Sequence, residues 1–348
     1  MSKFSIMDVT CRDGSYAINF QLSLASEKKI CQGLESLGYE YVEIGHGMGL
    51  GASRLPRYTA LHTDEEYLKC AYDNLKTIKY GMFCIPGIAT LDDIKLAAEY
   101  GCKFIRIGSN VEDVNKTESY IKEAKKLGLM VASNYMKSYA STVEEFGEAV
   151  KKSTAWGTDL IYIVDSSGGM MPSDIKKYFD VIKKESCVKT GFHGHNNIGM
   201  ALANSIYSVE LGIDFIDCSL QGLGRSAGNT PLEHFSICME KIDKEFSVDI
   251  SKLLLLSKKH VYPFIKKAGL NPVDTICGMA GFHSSYLPDI YRVAAIYEVN
   301  PLTLIIEYSK IDQVNMNTEK LESIAANLPR DQDSFFCVDL LNYIGGEQ

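Results

Sequence analysis

The stretch TGFHGHNN, Thr190 to Asn197, places two imidazoles on one face of a strand. Successive strand side chains point to opposite faces, so His193 and His195 project together while Gly194 leaves the other side uncrowded. A natural third ligand lies far away in DVTCRDGSY, Asp8 to Tyr16, where a short apolar strand ends in Arg12 and Asp13. Two histidines and a carboxylate hold one face of a divalent ion and leave positions open for substrate oxygens. Taken alone, H-x-H also fits two polar residues at a strand end.

Working outward from this strand, short β-rich apolar runs alternate with helical patterns up to about residue 240, the pattern of repeated βα units around a parallel sheet. Eight strands are expected: Phe4 to Val9, Tyr41 to Ile44, Lys79 to Ile85, Phe104 to Ile107, Met130 to Asn134, Leu160 to Val164, Thr190 to His195 and Phe215 to Cys218. Helical stretches lie between them, with Gly38, Gly101, Gly128, Gly157 and Gly212 just beyond several, where glycine ends a helix at little cost. Eight units predict a (β/α)8 TIM barrel. The alternative, a doubly wound sheet, would show a glycine-rich phosphate turn after its first strand, where this chain has CRDGSY.

Barrel active groups sit on loops after the strands. The polar clusters follow that rule: Asp13 after strand one, Glu43 to Gly47 after two, Ser109 and Asn110 after four, Asp165 to Gly168 after six, His193 to Asn197 after seven, and Gln221 to Asn229 after eight. Six loops converging on one mouth strengthen the metal reading. The barrel is assigned to residues 1–243 and a small C-terminal helical domain to 244–348, with helices expected at Ile250 to Ala268, Tyr286 to Tyr297, Pro301 to Lys310 and Glu319 to Asn327. In GMAGFHSSY, Gly278 to Tyr286, glycines and a histidine break the helical rhythm; the stretch reads as an inter-helix turn or as a segment reaching over the barrel mouth.

The chain has 348 residues, 46% hydrophobic and 23% charged, with net charge -8. Interspersed charges offer no basic face for a phosphate backbone, so no nucleic-acid partner is expected. The amino terminus lacks an extended apolar core, and Leu253 to Leu256 is too short to cross a bilayer, which predicts a cytoplasmic protein without membrane association. Ten cysteines are scattered with no C-x-x-C pair, as expected of reduced core thiols.

These motifs together resemble the metal-dependent aldolases and acyltransferases with a DRE-type TIM barrel, the group related to HMG-CoA lyase, and among them especially the 4-hydroxy-2-oxovalerate aldolases. DVTCRDGSY, VDSSGGM, GFHGHNNIGMALANS, DCSLQGLGRSAGNTPLE and AGFHSSYL resemble that family's motifs in the same order along nearly the whole chain. The resemblance implies metal ligation by Asp13, His193 and His195, with Mn2+ as the ion and Mg2+, Co2+ or Zn2+ as alternatives. It implies that Arg12 stabilises an enolate, that Ser166 holds the pyruvoyl carboxylate, that His46 contacts substrate or steadies its loop, and that Asn229 supports the ion or Asp13. Capping for Ser166 and a barrel-end salt bridge for Arg12 are the plainer readings.

The chain departs from the family at Asn110, in a region where the family often has histidine, and at two further positions. The family motif reads DGSH, with the histidine as proposed base, where this chain has Tyr16; the family has a tyrosine tied to proton transfer where this chain has His283. Tyrosine titrates near ~10 and is a poor resting base. An exchange of the two roles is one expectation, and loss or change of the activity is the other.

The expected reaction cleaves or forms a 4-hydroxy-2-oxo acid through a pyruvate enolate and an aldehyde. The alternatives are a Claisen-type acyltransferase of the isopropylmalate synthase kind, for which no acyl-CoA site is legible, and a non-catalytic member of the family. The resemblance further implies a homo-oligomer and an acylating aldehyde dehydrogenase as partner of the helical tail.

Overall fold

The computed structural model describes residues 4–243, 245–265 and 271–331. Eight strands form a closed, wholly parallel barrel: β1 (Ser5–Asp8), β2 (Tyr41–Glu43), β3 (Lys79–Cys84), β4 (Phe104–Asn110), β5 (Met130–Met136), β6 (Leu160–Asp165), β7 (Lys189–Gly194) and β8 (Phe215–Cys218). Closure runs through β1, where Met7 lies opposite Tyr41 of β2 on one side and Asp217 of β8 on the other. All eight expected strands are present, and β4 and β5 run further than expected, to Asn110 and Met136.

Eight helices wrap the barrel: α1 (Leu24–Ser36), α2 (Asp64–Asn74), α3 (Leu91–Glu99), α4 (Glu118–Lys126), α5 (Val143–Trp156), α6 (Pro172–Glu185), α7 (Ala201–Leu211) and α8 (Leu232–Ile242). Their ends follow local chemistry. At α5, Thr142 accepts from the Glu145 N–H while the Glu145 carboxylate accepts from the Thr142 N–H, a reciprocal cap. The helix stops at Gly157, whose φ of 104° favours a residue without a Cβ.

Strand alternation sorts the core into two layers. Met7, Val9, Phe104, Leu160, Tyr162 and Phe215 fill the barrel interior, whereas Ile6, Ile105, Ile161, Phe192 and Ile216 pack outward against the helices.

Beyond the barrel come α9 (Ile250–His260), α10 (Pro272–Ala280), α11 (Leu287–Tyr297), α12 (Pro301–Ser309) and α13 (Thr318–Asn327). The helix expected from Ile250 to Ala268 ends at His260 and continues as a short 3-10 turn at Tyr262–Phe264; residues 266–268 lie outside the described part. The expected boundary falls at Lys244, also outside it. Just past it, α9 buries Leu253 in the barrel's outer core, while a separate core begins at Val273 and gathers Phe282, Ile290, Leu304 and Tyr308.

Helix α10 is absent from the expected set. Asn271 caps it by accepting from the Val273 N–H, Pro272 opens it and Gly281 closes it at φ 66°. Gly278, a turn residue by its pattern, sits inside the last turn of that helix.

Candidate metal centre and cavity

Asp13 opens the 3-10 turn Asp13–Ile18 that follows β1, and its N–H donates to Val9 O. His193 lies on β7 with its neighbour Phe192 turned into the outer core, and His195 follows the strand end, bridged to Asn229. All three are buried, and their ligand atoms lie within 4.8 Å of one another.

Hydrogen bonding sets the tautomers. His195 Nδ1 is 3.2 Å from Gly228 O, an atom that only accepts, so Nδ1 carries the proton. His193 Nδ1 is 2.8 Å from Asp217 Oδ2. Burial opposes ionisation of Asp217, but Arg106 and His193 outweigh it and hold the carboxyl below its ordinary pKa, so Nδ1 of His193 is the donor there as well. Burial drives the His195 pKa well below 6.5, with Arg225 acting in the same direction.

Each ring turns Nε2 toward the shared space, where the two nitrogens stand 3.4 Å apart, and on His195, kept neutral by burial, Nε2 is unprotonated. Asp13 beside them is ionised: burial would raise its pKa, but Arg12 and the groups around it bring it well below the carboxylate range. Two imidazole nitrogens and a carboxylate converging in a buried space form a donor set that a cation satisfies, and borderline nitrogen and oxygen donors suit a divalent transition ion.

A belt of alternating charges ties the ligands together. Asp217 accepts from Arg106 Nη2 at 2.5 Å, Arg106 Nη1 donates to Glu43 at 2.9 Å, and Glu43 accepts from Arg12 Nε at 2.7 Å. Arg12 Nη1 completes the run by donating to Asp13 at 2.7 Å. His193 and Asp13 are thus joined through fixed, dry ion pairs, which hold ligand orientation more firmly than exposed pairs would.

Above the ligands lies a cavity of about 230 Å³. Arg12, Tyr16, Asn110, Ser166, His193, His195 and His283 all line it, as does Asp13. Its apolar wall comes from Met48, Phe83, Ile85 and Ile88. Asn229 donates to Asp13 Oδ2 at 2.7 Å, and Ser166 Oγ accepts from the Lys137 N–H at 3.0 Å. A larger neighbouring space of about 420 Å³ shares Asn110, Met136 and Lys137 with this cavity but touches none of the three ligands.

His46 stands apart from this group. Its Nε2 is 2.8 Å from Tyr58 O, its Nδ1 accepts from the Met48 N–H, and its ring stacks on Phe20 at 4.0 Å. Both nitrogens are spent on the loop, so of the two expected roles the geometry matches loop support and not substrate contact.

Four residues of the site, Arg106, Asp217, Lys137 and Arg225, are not among those the sequence singles out. The signal for two of them is present, since Arg106 and Asp217 are charges inside apolar strands at the same alternation phase as Phe104 and Phe215, which face the barrel interior.

Known proteins are similar to this chain in sequence and in architecture. The family model described as HMGL-like matches residues 3–259. A 4-hydroxy-2-oxovalerate aldolase of Moorella thermoacetica is 33% identical over 324 residues, covering 93% of this chain and 96% of the relative. One from Carboxydothermus hydrogenoformans is 32% identical over 329 residues, covering 94% and 98%. Among solved structures, the N-terminal domain of a putative aldolase from Bacteroides vulgatus superposes with TM-score 0.71 at 24% identity, covering 89% of this chain and 97% of that one. Bacillus subtilis HMG-CoA lyase superposes with TM-score 0.64 at 19% identity over 76% and 94%. The two structural likenesses carry the fold alone, but with a family model spanning the barrel and relatives matching over almost their full length, the chain belongs to the HMGL-like family.

Proposed function

We propose that the chain is a metal-dependent lyase that cleaves or forms a 4-hydroxy-2-oxo acid, with a pyruvate enolate and an aldehyde as the two halves. The observation that carries this is the convergence of the His193 and His195 Nε2 atoms, 3.4 Å apart, on an ionised Asp13 at the floor of a cavity that Arg12 also lines. Asp13, His193 and His195 would hold the ion. Mn2+, with Mg2+, Co2+ or Zn2+ as alternatives, supplies a Lewis acid for the 2-oxo group when bound.

The remaining work falls to side chains. Arg12, fixed by Glu43 and Asp13, presents a permanent charge to the developing enolate oxygen. The Ser166 hydroxyl, which accepts from Lys137 N, has its own proton left to donate to a carboxylate.

Tyr16 and His283 share proton transfer, with residue types exchanged relative to the family motif. Burial, reinforced by Arg225 and Lys137, keeps His283 neutral well below its ordinary pKa. Its Nδ1 accepts from the Ser285 N–H and lies 2.6 Å from Ser285 Oγ, so the ring proton sits on Nε2. As it stands the ring offers an N–H at Nε2, the donor half of a proton transfer, and its one lone pair lies at Nδ1 beside Ser285. The apolar wall of Met48, Phe83, Ile85 and Ile88 fits an uncharged aldehyde substituent.

Metal analysis together with a panel of 4-hydroxy-2-oxo acids tests the reading. Pyruvate release dependent on bound metal supports the lyase, CoA release from an acyl-CoA supports the acyltransferase, and neither leaves a non-catalytic member. A cytoplasmic setting, a homo-oligomer and an acylating aldehyde dehydrogenase partner belong to the same proposal; among the described residues no helix is long and apolar enough to cross a membrane. Co-purification at moderate salt that yields no dehydrogenase counts against the partner.

A further inference from the structure

Arg225, on the loop after β8, is only 4% exposed and lines the cavity. Its guanidinium donates from Nη1 to Ser284 Oγ and from Nη2 to Ser166 O at 2.9 Å and to His195 Nε2 at 3.0 Å. None of these acceptors is anionic. Among the described residues, no carboxylate lies within ion-pair distance of this guanidinium, whereas Arg12 and Arg106 are each held by two. Burying a cation on neutral acceptors alone is costly, and an anion arriving in the cavity would relieve that cost.

The third acceptor links this arginine to the metal position. His195 Nδ1 is protonated toward Gly228 O, so Nε2 offers one lone pair, and Arg225 engages it. That nitrogen is also the one that converges with His193 Nε2 and Asp13. One lone pair cannot serve an N–H and a metal ion together. A cation bound by the three ligands must therefore break the bond from Arg225 and expose that N–H to the cavity, beside the Ser166 loop.

We propose that Arg225 competes with the metal for His195 and, once displaced, becomes the donor that holds the carboxylate of the incoming 2-oxo acid. The proposal rests on the metal-dependent reading above and adds an order to it, metal before carboxylate. It also sets two effects in opposite directions. Losing Arg225 removes a competing donor and a positive charge from the metal position, so the ion binds more tightly; it also removes a charged donor to the carboxylate, so the acid binds more weakly. A merely structural role would weaken both.

The test uses the full chain, with Mn2+ binding measured by calorimetry and then oxalate binding to the Mn2+-saturated protein. Arg225→Gln is expected to tighten Mn2+ about tenfold and weaken oxalate at least about tenfold, the scale of one charge-assisted hydrogen bond. Arg225→Lys, which keeps the charge but not the fork, should leave Mn2+ affinity near wild type and give intermediate oxalate affinity; it also carries the test if the glutamine variant does not fold. Unchanged or weaker Mn2+ binding in Arg225→Gln overturns the proposal alone, as does unchanged oxalate binding in either variant. A wild type that binds no Mn2+ overturns the proposal and the metal reading together. A wild type that binds Mn2+ and oxalate as expected but releases no pyruvate from the acid panel overturns the lyase reading and leaves the Arg225 assignment standing.

Discussion

Asp8, at the end of β1, is fully buried and sits among groups that do not neutralise it. Its oxygens accept from Thr10 N at 3.0 Å and Thr10 Oγ1 at 2.8 Å, and among the described residues no cation pairs with it. Burial raises its pKa from 3.8 to about 7, against the opposing effect of the Thr10 bonds. In the unfolded chain the same carboxyl titrates near ~4. Between these values the folded protein keeps a proton that the unfolded chain has lost, so stability falls as pH rises from about 4 to about 7 and then levels off.

The gap corresponds to about 4 kcal/mol in all, of which about 3 kcal/mol falls between pH 5 and pH 8. Asp8→Asn cannot ionise and loses this dependence. It has its own cost, because Thr10 Oγ1 accepts from Leu220 N and so directs its hydroxyl proton at residue 8, where an amide nitrogen would now face it. That mismatch is worth about 1 kcal/mol at every pH. Near pH 4 the variant should therefore be less stable than the wild type by about 1 kcal/mol, and by pH 8 more stable by about 3 kcal/mol. Urea unfolding followed by far-ultraviolet circular dichroism in chelator-treated buffer, from pH 5 to 8.5, measures the difference. A difference that stays constant with pH, or that moves against the variant as pH rises, refutes the reasoning.

Three further outcomes are expected at the site. Asp217→Asn removes the negative charge that holds the His193 Nδ1 proton and should weaken Mn2+ binding about 10- to 100-fold in a calorimetric titration, with the fold retained. Arg106→Leu leaves Glu43 and Asp217 buried with a partner missing and should cost about 3–5 kcal/mol in urea unfolding; a cost below about 1 kcal/mol would show that the belt carries no strain of this kind. His283→Ala should lower turnover and change the acidic limb of the pH–rate profile, a limb that in the wild type lies below pH 6.5 because burial depresses the imidazole pKa; unchanged turnover and an unchanged limb rule out the exchange with Tyr16.

Alternation made the barrel legible. Each strand buries one residue in the interior and the next under the helices, so runs such as Leu160 to Val164 stand out from the amphipathic stretches between them, and eight such runs leave one topology. The three candidate ligands were legible for the same reason, since residues two apart along β7 and just past its end share a face and Asp13 follows β1, one strand beyond β8 in the closed sheet. The supporting charges were harder to see. Asp217 matters because the register of β8 on β7, with Phe192 opposite Ile216, puts it within reach of His193, a register that no local pattern announces. Arg225 was not singled out within its glycine-rich loop, although that loop was placed at the barrel mouth; the path of the loop over Asp13, with Gly224 packed against the carboxylate and Asn229, turns its side chain inward.

Helix α10 shows why the tail cannot be treated as an appendage of the site. A Cβ on Gly169, in the loop after β6, would fall 2.0 Å from Gly278 O, and one on Gly278 would fall 2.8 Å from both Asn197 and Ile198. Backbone lies directly on backbone there, and only residues without side chains permit it. Polar contacts fasten the same joint: Asn197 Nδ2 donates to Asp274 O at 2.9 Å, and Lys137 Nζ donates to Val314 O at 2.6 Å. With the helix seated in this way, the segment after its C-terminus is carried to the barrel mouth, so His283 reaches the cavity and Ser284 meets the guanidinium of Arg225. The barrel supplies the ligands and the belt of charges, but the wall above them is closed by the tail. The glycines that made Gly278 to Tyr286 look like an interruption are what let the second core approach the first closely enough to complete one cavity.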